Sequence, residues 1–126
     1  MPKKRTTKQD DLEFEIQFYE SLLKRSPNFV QAMIGLGELY TKKGDFEKGL
    51  QVDQKLAHLR PEDPYVLYNL ACSFSLLDRI DESFKAIKAA VDNGYDDLDH
   101  LMKDRDLAAL RADKRFKEFL ASLRNN

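Results

Sequence analysis

The sequence predicts an all-α chain: a short solenoid of helix-turn-helix units with capping helices at its ends. Two patterns carry that reading. Apolar residues recur in register every 34 positions, and within each period they fall at helical spacing. Length and composition agree with it. The 126 residues suffice for one domain with a single core, and 42% hydrophobic with 34% charged residues suits a helix-rich globular protein.

The period is visible residue by residue. Pro27 and Pro61, in RSPNF and LRPED, stand 34 positions apart. The same shift carries Leu36-Gly37 onto Leu70-Ala71, Tyr40 onto Phe74, Phe46 onto Ile80, and Leu56-Ala57 onto Ala90-Val91. Backwards, it lays Phe46, Leu50, Leu56 and Ala57 on Leu12, Ile16, Leu22 and Leu23. The chain therefore divides into a basic tail, 1–9, expected to be disordered, and one domain, 10–126. That domain holds a half-repeat (10–28), two repeats (30–63 and 64–95) and a C-terminal cap (96–126).

Taken in order, the half-repeat DLEFEIQFYESLLKRSPN reads as a second helix without its first, ending at Pro27. In the next unit Met33, Leu36, Gly37 and Tyr40 share one face of a first helix. Phe46, Leu50, Val52 and Leu56 supply most of the apolar surface of a second. TKKGD makes the turn, with Gly44 suited to a left-handed helix end and Asp45 to an N-cap. Pro61 and Pro64 mark the exit from the second helix. After Gly94 the period stops. The run DDLDHLMKDRDLAALRADKRFKEFLASL has three short apolar bursts, with Asp97, Asp106 and Asp113 as N-cap candidates.

These units resemble the tetratricopeptide repeat, whose 34 residues follow W-x2-L-G-x2-Y, then A-x3-F, then P. The first reads Met33-x2-Leu36-Gly37-x2-Tyr40, then Gly49-x3-Asp53, then Pro61. The second reads Leu67-x2-Leu70-Ala71-x2-Phe74, then Ser83-x3-Ile87, with Tyr95 in place of proline. The resemblance implies a right-handed α-solenoid in which Gly37 and Ala71, and on the facing helices Gly49 and Ser83, admit close approach of the two helices of a unit. The C-terminal run resembles the segment that closes many small bacterial proteins of this type, a cap that would keep the last stacking face from water.

Two residues depart from the pattern. Gly35 costs a helix about 1 kcal/mol against alanine, and the family's geometry turns it to the concave side, as a backbone notch or simply a weak point. Asp53 stands where a large apolar residue is usual. Either Val52 covers the gap or the carboxylate finds a hydroxyl or lysine partner, because an unpaired buried charge is expensive.

Catalytic, cofactor and metal sites are not expected. His58 and His100 lie in different units without ligands at metal-binding spacing. DNGYDDLDHLMKDRD misplaces its glycine for a calcium loop and has Lys103 where the bidentate glutamate would stand. No glycine-rich phosphate loop and no nucleophile elbow occurs. A formal net charge of -1, without basic excess, speaks against nucleic acid as partner. The short basic tail PKKRTTK reads as a disordered, solubilising end rather than an anionic-surface or import signal. One cysteine, no apolar stretch behind the N-terminal charges and no bilayer-length apolar run lead to the expectation of a cytoplasmic protein without membrane insertion.

What remains is the concave face that the resemblance implies. It holds Gln31, Ile34, Glu38, Thr41 and Lys42 from one unit and Tyr65, Tyr68, Asn69, Cys72, Ser75 and Leu76 from the next. A non-catalytic adaptor would hold a protein or peptide segment there, with Tyr65 and Tyr68 as anchors and Asn69, Glu38 and Gln31 orienting it. A carboxylate clamp of the chaperone-binding kind is not expected, since Ile34 and Glu38 occupy the places of its lysine and asparagine and only Asn69 matches. Two readings compete with an open groove. The N- or C-terminal helices would cover these residues and make them core, or the chain would self-assemble into a homo-oligomer through the groove or through Phe14 and Phe18.

Overall fold

The computed structural model describes residues 7–125, and among them all regular structure is helical. The expected disordered tail therefore falls largely outside the described residues, and its proposed boundary moves. Lys8 and Gln9 already belong to α1, Lys8–Arg25. A reciprocal cap sets that start: Thr7 Oγ1 accepts from the Asp10 amide at 3.0 Å while Asp10 Oδ2 accepts from the Thr7 amide at 3.1 Å.

Two helical hairpins follow. The first pairs α2, Val30–Lys43, with α3, Phe46–Leu59; the second pairs α4, Pro64–Leu76, with α5, Ile80–Asp92. Gly44, at φ 87°, ends α2 in the left-handed region, and the Asp45 carboxylate accepts from the Lys48 amide to start α3. Asp63 caps α4, with Pro64 at its first position, where the missing amide hydrogen is no loss. The turn into α5 places Asp78 at φ 61°, one period after Gly44.

The C-terminal segment comprises α6 (Leu98–Lys103), a 3₁₀ turn (Arg105–Leu107), α7 (Ala108–Arg111) and α8 (Lys114–Arg124). Asp97 and Asp113 cap α6 and α8 as expected. Asp106 does not act as a cap. That role falls to Asp104, whose extended backbone lets its carboxylate accept from the Asp106 amide at 2.9 Å and start the 3₁₀ turn.

Each helix packs on its chain neighbour, α1 on α2 through to α4 on α5, and the C-terminal segment then closes on α4 and α5. The helices thus stack in a solenoid-like arrangement. The core is layered accordingly. Ile16 packs with Leu36, Leu39 and Tyr40; Met33 with Leu56 and Val66; and the largest layer joins Leu67, Tyr68 and Ile87 to Leu101, Leu107, Leu110 and Phe116. Both hairpins close tightly where small residues meet. A Cβ on Gly49 would lie 3.8 Å from the Gly37 carbonyl oxygen, and the Ser83 hydroxyl donates to the Ala71 carbonyl at 2.7 Å.

Gly35 does not face the concave side. A Cβ there would come within 2.8 Å of the Tyr19 ring, so the glycine seats α1 against α2. Asp53 is 7% exposed and accepts a hydrogen bond from the Ser73 hydroxyl at 2.5 Å. Of the partners expected for it, the hydroxyl is the one present.

Candidate partner-binding groove

α2 and α4, the first helices of the two hairpins, border a pocket of about 300 Å³. α2 contributes Ile34, Glu38, Thr41 and Lys42; α4 contributes Asn69, Cys72 and Leu76. These positions recur at three- and four-residue steps, so each helix turns one stripe to the same opening. Six of the eight expected groove residues, Ile34, Glu38, Tyr68, Asn69, Cys72 and Leu76, come together here.

Gln31 and Tyr65 do not join them. Both are exposed on the first turns of their helices, and the Tyr65 ring meets Tyr95 edge-on at 5.9 Å. Tyr68 and Cys72 reach the pocket only as buried wall, at 5% and 8% exposure. The anchor role expected of Tyr68 is thereby corrected. Its ring stacks on Tyr95 at 4.4 Å and its hydroxyl donates to Asp104 Oδ2 at 2.6 Å. Burial, with that carboxylate as acceptor, pushes the Tyr68 phenol far above its ordinary range. Burial raises the Cys72 thiol too, with Asp104 and Asp106 adding to the effect, which favours its protonated form.

The covering element is the C-terminal segment, which supplies the third wall of the pocket through His100, Asp104 and Asp106. His100 Nε2 lies 3.3 Å from Asp104 Oδ2. Arg111 fastens this wall from behind by donating to the carbonyls of Leu101 and Asp104. The sequence marks none of these three as a groove residue, because the 34-residue period stops at Gly94 and spacing gives no register beyond it.

Charge in the pocket is unbalanced. Glu38, Asp53, Asp104 and Asp106 line it against Lys42 and His100. Burial, opposed by the Ser73 hydrogen bond and reinforced by the Glu38 charge, pushes the Asp53 carboxyl up to about 6. Burial and then Asp104 raise Asp106 as well. Among the described residues no group of three or more His, Cys, Asp or Glu side chains is placed to hold a metal ion, and no helix is long and apolar enough to cross a membrane.

No family model matches the chain. It is similar to a chloroplastic protein of Arabidopsis thaliana, 30% identical over an alignment of 111 residues that covers 84% of this chain. The chain spans about a third of that relative's length, 33%.

Proposed function

We propose that this chain is a non-catalytic interaction module of the tetratricopeptide type, holding a peptide segment between α2 and α4. The observation that carries the reading is the pocket itself. Ile34 and Leu76 offer apolar surface, Asn69 offers an amide, and Glu38 and Asp106 offer carboxylates, all on rigid helices or a fastened turn. A preorganised site loses little conformational entropy on binding. The surplus of carboxylates favours a segment that carries lysine or arginine, its aliphatic stem along Ile34 or Leu76 and its charged head at Glu38 or Asp106.

The test is selection of peptides from a random displayed library on the immobilised chain, followed by titration of the selected sequences in solution. Basic residues are expected to be enriched. Glu38→Lys is expected to weaken binding at least about tenfold, roughly 1.4 kcal/mol, without loss of helicity, since Glu38 is exposed. Peptides that bind Glu38→Lys and Asn69→Ala as tightly as the parent chain would show that recognition lies elsewhere.

A further inference from the structure

The outer face of α1 leaves Phe14 71% and Phe18 54% exposed, with Leu22 half-buried beside them. One period further on, these positions correspond to Lys48, Val52 and Leu56 of α3. There the same face is turned to the first helix of its own hairpin. Lys48 Nζ sits 5.7 Å from the Tyr40 ring centre, Val52 would touch a Cβ on Gly37 at 3.6 Å, and Leu56 is 1% exposed beside Met33. A second period on, the counterparts of Phe18 and Leu22 are Ala86 and Ala90, both buried. Thus α1 leaves uncovered, among the described residues, the stripe through Phe18 and Leu22 that packs on a helix in both complete hairpins. The Phe14 position is exposed in those hairpins too, as Lys48 and Glu82.

What fits that face differs from what fits the hairpins. Glu15 stands at the position of Gly49 and Ser83, the small residues that let paired helices close, so a partner helix must cross farther off, over the two phenylalanine rings. The charges select the partner. Asp10 is committed to the Thr7 cap and Glu13 to Lys43 at 2.7 Å. Asp11 near the start and Arg25 at the end of α1 are exposed and make no ion pair among the described residues.

We propose that α1 docks antiparallel on α1 of a second copy of this chain, with the two-fold axis at Phe18. That register brings Phe18 against Phe18 of the second copy, Phe14 against Leu22, and Asp11 against Arg25 at both ends. An isologous contact places complementary groups twice for each one present. One helix of 18 residues, about 27 Å long, buries less than the interface of a standard stable complex. The dimer is therefore reversible and concentration-dependent. The face shares no residue with the pocket between α2 and α4, so it stands or falls independently of the proposed peptide binding.

Sedimentation velocity of the whole chain, from about 10 µM to about 1 mM, tests it. The parent chain is expected to shift from monomer to dimer across that range. Phe18→Glu and Asp11→Arg should each weaken association at least about tenfold, and Asp11→Arg combined with Arg25→Asp should restore it. Circular dichroism checks that each variant keeps its helices. Should Phe18→Glu lose them, Asp11→Arg and the charge swap read the same contact through exposed groups alone. A parent chain monomeric throughout, or association unchanged in Asp11→Arg, overturns the proposal.

Discussion

Gly35 and Asp53 each look like a defect in the sequence and each proves to be a fitted part. The Tyr19 ring occupies the space a Cβ on Gly35 would need, at 2.8 Å. Alanine there would gain about 1 kcal/mol of helix propensity but displace the ring. Gly35→Ala alone is therefore expected to be neutral or destabilising, whereas in a Tyr19→Ala background it should stabilise by about 1 kcal/mol. A double-mutant cycle in urea reads the difference; equal effects in both backgrounds would mean the ring does not need the notch. For Asp53 the prediction concerns pH. With its carboxyl pushed up to about 6 in the fold and near 3.9 when unfolded, the native chain keeps a proton that the unfolded chain has released. Stability from this group therefore falls as pH rises from about 4 to about 6 and stays lower above. Asp53→Asn should equal the parent chain near pH 4 and exceed it by on the order of 2 kcal/mol at pH 7. A pH-independent difference between the two would refute that assignment. The location of Gly35 is illegible in the sequence, since a family pattern orients a helix only to within one position. The partner of Asp53 is legible in kind, as a hydroxyl, but the pattern gives no reason to choose Ser73.

At the scale of elements, the residues that begin and end helices are the most readable signals. Gly44, Asp45, Pro64, Asp97 and Asp113 act where their backbone chemistry predicts. The turn between α4 and α5 is the weaker copy of the one between α2 and α3. Asp78 takes, at φ 61°, the conformation that Gly44 takes at φ 87°, and a residue with a Cβ is less comfortable there. Asp78→Gly is expected to stabilise the chain by about 0.5–1 kcal/mol, seen as a higher urea midpoint at unchanged slope; no gain would mean that the aspartate side chain offsets its own backbone cost. The C-terminal elements are harder to place. They are legible as short capped helices, but not as a wall of the groove, because contacts such as Tyr68 with Asp104 span 36 residues and leave no local trace in the sequence.

For the whole molecule, the stack of two hairpins between α1 and the C-terminal segment follows from the 34-residue period and from each helix's need to bury one stripe. Among the described residues the first and last layers of the stack differ. Toward the C-terminus, Leu101, Leu107, Leu110 and Phe116 are buried against the final hairpin; at the α1 end, Phe14 and Phe18 are exposed among the described residues. The sequence displays the stack and the open aromatics, and leaves undecided which end covers the groove. The segment that seals the core also has a second duty. Asp104 holds the Tyr68 hydroxyl on its inner side and borders the pocket on its outer side. Anything that grips the outer side pulls on the same carboxylate that steadies the interior. Under the proposed peptide binding, recognition and cohesion share a hinge pin, and a substitution at Asp104 is expected to alter both in one stroke.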